Sequence, residues 1–153
     1  MKTLNEPNLV SLTVPVDAFT REALAIDVDQ GIKGEQAVEA MARISLIRGA
    51  PRTIRVGNGP EFISKALDRW AYENGVTLDF SRPGKPTDNA FVESFNGRLR
   101  DECLNAHWFL SITDARAKIE AWRRDYNVSR PHTSLGWMTP VEYAAAAGAK
   151  AAK

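Results

Sequence analysis

The sequence predicts an α/β fold, a mixed sheet flanked by helices, on three observations. Short apolar runs rich in Val, Ile, Leu and Thr alternate with longer segments whose apolar residues recur at helical spacing. Gly/Pro-rich stretches separate them. The resulting order is strand, strand, helix, strand, helix, strand, helix, helix, followed by a last helix.

Residues 1–8, with Asn5, Pro7 and Asn8, read as an irregular N-terminus. Residues 9–16 predict a strand whose Pro15 belongs at an edge or a distorted end. Asp17 to Arg21 form a turn, and residues 22–29 a second strand, so the pair is a hairpin. Asp27 and Asp29 alternate with Ile26 and Val28, as on a half-exposed strand. Residues 34–48 predict a helix with Val38, Met41, Ile44 and Ile47 as its apolar face, ended by Gly49 and Pro51. A strand at 52–56 leads into the loop Gly57-Asn58-Gly59-Pro60. A helix at 61–74 presents Phe62, Ala66 and Trp70 and closes at Gly75. After a strand at 76–80 and a Pro/Gly loop at 81–87, a long helix runs from 88 to 105, capped by Thr87 or Asp88. The helix at 112–127 has Ala115, Ile119, Trp122 and Tyr126 on one face. Its Arg116, Lys118, Arg123 and Arg124 interleave with Asp114, Glu120 and Asp125, which reads as a solvated face rather than a basic stripe. Residues 128–138 are irregular, Thr139-Pro140 starts the last helix, and the Ala-rich tail from 144 frays.

Length and composition fit one globular domain: 153 residues, 44% apolar, without internal repeat. The net charge of +1 is lower than a free-standing nucleic-acid binder usually carries, so any such role must rest on local patches. No apolar stretch reaches the length of a membrane span, and no apolar segment follows Lys2 as in a secretory signal. The single cysteine, Cys103, forms no internal disulfide and suits a reducing cytoplasm. Neither histidine, His107 nor His132, has the partner spacing of a metal site.

Four segments carry chemistry. They are Asp17-Ala-Phe-Thr-Arg-Glu22; Gly57-Asn-Gly-Pro-Glu-Phe62; Arg82-Pro-Gly-Lys-Pro-Thr-Asp-Asn-Ala-Phe-Val-Glu-Ser-Phe-Asn-Gly-Arg-Leu-Arg100; and Tyr126-Asn127 with Arg130-Pro-His-Thr-Ser-Leu-Gly136 and Thr139-Pro140. In this order and spacing they resemble the catalytic domain of bacterial insertion-sequence transposases (OrfB type) related to retroviral integrase, from about residue 9 to 145.

The resemblance implies a ribonuclease-H-like core over residues 9–143, in which three carboxylates, Asp, Asp and Glu, hold two divalent ions, Mg2+ or Mn2+. It implies two DNA reactions at one site, 3′-end processing and strand transfer, on transposon ends and target DNA. Glu93 matches the family's Glu. In the family thirty-five residues separate the second Asp from it; the spacing is kept, but the position holds Gly57, which has no side chain to offer a metal. The first Asp extrapolates to Met1 or before it, so the first, central strand is expected to be missing; Asp17 matches a turn residue instead. Asn58, Lys85, Arg98, Arg100, Arg130 and His132 are the nucleic-acid-binding candidates, with Arg100 two helical turns from Glu93 on the same face.

Three functions follow from these residues. The chain is a transposase core, catalytically inactive for want of carboxylates; or a DNA-binding or transposase-pairing module that interferes with transposition, as a homo-oligomer or with full-length transposase; or a product that does not fold stably. A bacterial cytoplasmic, nucleoid-associated location and no membrane partner go with the first two.

Overall fold

The strands and helices follow from where each segment buries its apolar atoms and how it closes its ends. A computed structural model describes residues 2–5, 8–13, 15–29, 31–56, 64–80 and 90–151. Strands β1 (Lys2–Asn5), β2 (Asn8–Thr13) and β3 (Asp27–Asp29) form an antiparallel sheet in the order β1-β2-β3. Strands β4 (Thr53–Val56) and β5 (Thr77–Phe80) form a parallel pair. The helices are α1 (Gly34–Arg48), α2 (Lys65–Glu73), α3 (Ala90–Leu99), α4 (Ile112–Ser129) and α5 (Pro140–Ala151).

Two apolar cores organise these elements. One joins Ala23, Ile26 and Val28 to Phe95, Leu99 and Cys103 and to Ala115, Ile119 and Tyr126 of α4. The other joins Val56 and Val76 to Leu67, Trp70 and Ala71 of α2, with Val38 and Met41 of α1 packed against it. Helices α1 and α2 meet closely where α1 begins: a Cβ on Gly34 would collide with the Ser64 side chain. Ser64 in turn caps α2, its Oγ accepting from Leu67 N–H at 3.1 Å. Cys103 is buried and unpaired, and burial pushes its thiol up to about 11, so it is an inert core residue.

Part of the N-terminal segment expected to be irregular is a strand. Residues 2–5 are a strand in register with β2, from Lys2 opposite Ser11 to Asn5 opposite Asn8. β1 ends at Asn5, so Pro7 does not interrupt its ladder. The sheet is therefore not left open beside β2, which is paired by β1 on one side and β3 on the other. Helix α5 runs past residue 144 to Ala151, as the high helix propensity of alanine favours.

Three further expectations shift. The second strand is shorter than 22–29. Val16 and Ala23 form an isolated bridge, but the outward N–H and C=O of Ala23 bond to the Asn127 side chain (2.8 and 2.9 Å) rather than to a further strand. On α1 the buried stripe is Ala37, Ala40 and Ile44, while Ile47 is 84% exposed. A strict three-residue interval drifts by about 60° per step, so Val38 and Ile47 point to opposite sides. The long helix from 88 to 105 is α3 continued by a π turn over Arg100–Leu104, and its proposed caps, Thr87 and Asp88, lie outside the described residues. The face of α4 is as expected: Ala115, Ile119 and Tyr126 are buried. Its charges pair along the helix, Lys118 with Asp114 and both Arg123 and Arg124 with Glu120.

Candidate functional site

Helix α3 is fixed by Phe95 and Leu99, which are buried one turn apart. That orientation leaves Glu93, Arg98 and Arg100 exposed. Arg98 stands five residues from Glu93, about 140° around the helix, so it serves the opposite flank. Arg100 opens the π turn, whose wider winding starts at this residue, seven positions after Glu93.

On the Arg98 flank the end of α4 and the segment after it build an aromatic and basic cluster. Phe95 meets Tyr126 edge-on (4.9 Å, 86°) and Trp122 at 5.6 Å, and Trp122 stacks on Tyr126. His132 packs edge-on against Tyr126 at 5.1 Å. Its Nε2 is buried and has no hydrogen-bond partner among the described residues. Burial holds the imidazole below its ordinary range, and the charges of Arg98, Arg130 and Arg21 push in the same direction. Burial likewise raises the Tyr126 phenol.

Arg130 lies over the faces of Tyr126 and Trp122, with 5.5 and 5.9 Å to the ring centres. Both its terminal nitrogens donate to Glu102 on the π turn. The Arg130 hydrogen bond holds the Glu102 carboxyl below the usual range, with Trp122 and Arg98 adding to the effect. Arg130 is thus committed to a protein partner. Arg98 makes no ion pair among the described residues.

The structure therefore gathers Arg98, Arg130 and His132 from α3 and the segment after α4. It places Glu93 and Arg100 on exposed helix surface. Gly57, Asn58 and Lys85 lie outside the described residues; strand β4 ends at Val56, the residue before Gly57. Asp17 is a turn residue, as expected: its Oδ1 accepts from the N–H groups of Phe19 and Thr20, and its Oδ2 pairs with Arg48. Sequence reasoning missed Glu102, Arg21 and Trp137. The ring of Trp137, placed in a turn just after Gly136, is the one local signal; the contacts of the other two span too much chain to be read from spacing.

The integrase core domain pattern matches residues 4–86, and a second integrase core domain pattern matches residues 74–140. The chain belongs to the integrase core domain family. It is 52% identical over 145 residues to the insertion element IS407 uncharacterized 31.7 kDa protein of Burkholderia multivorans, covering 95% of this chain and 52% of that protein. It is 48% identical over 141 residues to the insertion element IS476 uncharacterized 39.2 kDa protein of Xanthomonas euvesicatoria, covering 92% of this chain and 40% of that protein. The chain thus spans about half the length of the curated relatives it matches. Its fold matches the HTLV-2 integrase catalytic core domain in complex with magnesium (TM-score 0.71, 17% identity), over 94% of this chain and 90% of that one. The fold is ribonuclease-H-like, and the domain is a transposase/integrase catalytic core of insertion-sequence type.

Among the described residues of this integrase core, no side-chain set fits a two-ion centre. A pair of divalent ions needs several carboxylate oxygens converging from different elements. Among the described residues no three His, Cys, Asp or Glu side chains converge. Glu93 faces solvent, and position 57 carries no side chain.

Proposed function

We propose that this chain is an insertion-sequence transposase core that keeps a DNA-binding face and lacks metal-dependent chemistry. The observation that carries the reading is Gly57, separated from Glu93 by thirty-five intervening residues and with no ligating atom to offer. In the family, Mg2+ or Mn2+ would activate the attacking oxygen and stabilise the leaving one during 3′-end processing and strand transfer. Glu93 alone supplies one carboxylate to that task. What this chain retains is basic and polar side chains: Arg98 at the end of α3, Arg100 at the start of the π turn, and, in sequence, Asn58 after β4 and Lys85 before α3. Such side chains engage phosphates of transposon-end or target DNA without reading sequence.

A second use has support in Leu46 and Ile47 of α1, which are 88% and 84% exposed. Large exposed apolar side chains side by side favour pairing with another copy or with a full-length transposase. A core of this kind would interfere with transposition.

The test incubates the chain with a nicked-end duplex and Mg2+ or Mn2+, beside Glu93→Gln, Gly57→Asp and Gly57→Asp/Glu93→Gln. The expected result is salt-sensitive binding without cleavage or joining by the unmodified chain. A gain of activity in Gly57→Asp that the double variant loses would make the missing second Asp the main defect, and silence in both would leave the first Asp as the fault. Cleavage by the unmodified chain that disappears in Glu93→Gln would sink the claim of inactivity. Failure to bind duplex even at low salt would remove the DNA-binding face.

A further inference from the structure

The short connection between α2 and β5 holds a chemically labile pair of residues. Asn74 ends α2, Gly75 follows it, and both are exposed. Glycine has no Cβ to shield its main-chain nitrogen, so the nitrogen can approach the side-chain carbonyl of an asparagine before it. The sequence contains three such pairs, Asn58-Gly59, Asn74-Gly75 and Asn96-Gly97. The first lies outside the described residues, and the fold sets the other two apart. Asn96-Gly97 lies within α3, between the buried Phe95 and Leu99. Turning its main chain would open the helix against the core.

Asn74-Gly75 is held more loosely. The Gly75 N–H reaches Tyr72 O at 3.4 Å, a long and weak bond. Gly75 takes a φ of 67°, and nothing lies within 4 Å of where a Cβ would stand. Asn74 closes α2 by donating to Trp70 O from its N–H at 3.1 Å and from Nδ2 at 2.8 Å. Val76 N–H bonds to Ala71 O at 2.8 Å and completes the turn. Attack by the Gly75 nitrogen needs rotation away from the Asn74 ψ of 6°. The final turn of a helix is where such opening costs least.

We propose that Asn74 is a site of spontaneous deamidation, in which the Gly75 nitrogen displaces the side-chain amide and the acid that results weakens the end of α2. The Gly75 nitrogen gives its proton to hydroxide and attacks Cγ of Asn74. The N–Cγ bond forms, the Cγ–Nδ2 bond breaks, and the amide nitrogen takes up a proton from water and leaves as ammonia. A cyclic succinimide remains. Water then opens it at either carbonyl. One opening gives aspartate, and the other gives isoaspartate, whose main chain runs through the former side chain. Both products act on the same contacts. The acid has no N–H to donate to Trp70 O, and its negative charge sits at the helix end where free carbonyls already concentrate negative charge. Isoaspartate also adds a methylene to the path from α2 to β5. Val76, two residues on, belongs to the core of Leu67, Trp70 and Ala71, so the change is felt there.

The test ages the folded chain in mildly alkaline buffer and follows the Asn74 and Asn96 peptides by mass spectrometry. Aspartate and isoaspartate forms are separated by chromatography, and isoaspartate is read independently by methylation with an isoaspartyl methyltransferase. Asn74 is expected to convert on the order of tenfold faster than Asn96. Conversion of Asn96 as fast as Asn74 would overturn the proposal. So would an Asn74 that stays an amide in the folded chain while both convert in urea. The effect on the fold is read with Asn74→Asp, which carries one product from the start, and Asn74→Gln, whose longer side chain closes the ring far more slowly. Asn74→Asp is expected to melt about 3 °C below the unmodified chain. Ageing should lower the melting temperature of the unmodified chain more than that of Asn74→Gln, each compared with its own fresh sample. Equal losses in the two, or an Asn74→Asp that melts with the unmodified chain, would show that position 74 does not govern the end of α2.

Discussion

Arg130 grips Glu102 through two parallel bonds, Nη1 to Oε2 at 2.7 Å and Nη2 to Oε1 at 2.5 Å, and so ties the end of α4 to the π turn that follows α3. The planar guanidinium also covers two aromatic faces. Lysine cannot reproduce the fork. Both side chains retain partial exposure, 24% and 39%, so solvent screens part of the attraction. Arg130→Lys is expected to lower unfolding free energy by about 1 kcal/mol, read as a lower urea midpoint with an unchanged slope. Nucleic-acid affinity should remain within twofold, because this charge is already engaged. An unchanged midpoint together with a marked loss of DNA affinity would return Arg130 to the phosphate contacts.

A second tie lies deeper. Asn127, buried in α4, mimics a backbone neighbour for Ala23, accepting from its N–H and donating to its C=O. Ala23 is fully buried, so water cannot replace these bonds. Arg123 still reaches the Ala23 carbonyl at 2.9 Å, which leaves the N–H as the group orphaned by Asn127→Ala. The cost of one buried unpaired donor is about 2 kcal/mol. Asn127→Asp should be worse, since a carboxylate oxygen would then face the carbonyl. Thermal unfolding of the two variants checks the order; Asn127→Asp melting above Asn127→Ala would contradict it.

These two ties mark how far the sequence could be read. Helical spacing located α1 and α4 closely, and Ala115, Ile119 and Tyr126 are buried as their spacing requires. The Glu93 segment lies on a helix, as its motif implies. Residues 2–5 were hidden because four residues carry no periodicity; only their pairing with β2 makes them a strand. Residues 22–26 have the composition of a strand, yet Asn127, 104 positions away, takes the bonds of Ala23. Spacing on one helix cannot show that Arg98 and His132 face the same groove, since that depends on where the chain turns after α4.

His132 should make stability depend on pH in a defined direction. Its folded-state proton affinity is lowered by burial and by Arg98, Arg130 and Arg21, with the Tyr126 ring against it. The unfolded chain therefore binds the proton more readily, and ∂ΔG/∂pH is positive where only the unfolded histidine is protonated. Its stabilising contribution is complete above the ordinary histidine value of 6.5 and is lost as pH falls through that value towards the folded one. The thermal midpoint should thus fall between about pH 7 and 5, with a shallower fall in His132→Gln. Glu102 and Glu120, held low by Arg130 and Arg123, act with the same sign only below the ordinary value of 4.5. Equal slopes for the unmodified chain and His132→Gln would show that another group governs that window.

Trp137 stands where its backbone favours a smaller residue. Gly136 and Trp137 both adopt positive φ, and Met138 N–H closes the turn on Leu135 O at 3.3 Å. A turn with two consecutive positive-φ residues suits Gly or Asn at its centre and strains a bulky side chain. The strain of a non-glycine residue in this region is about 1 kcal/mol or somewhat more, and glycine gives back part of that through its greater freedom when unfolded. The indole is 72% exposed, so its removal costs little packing. Trp137→Gly is therefore expected to hold or raise the urea midpoint. A residue needed by the fold would show the reverse, a lower midpoint. Trp137→Asn makes the comparison independent of glycine's flexibility, because asparagine tolerates positive φ with an ordinary side chain. If both variants destabilise the chain, the ring is supporting the turn despite its exposure.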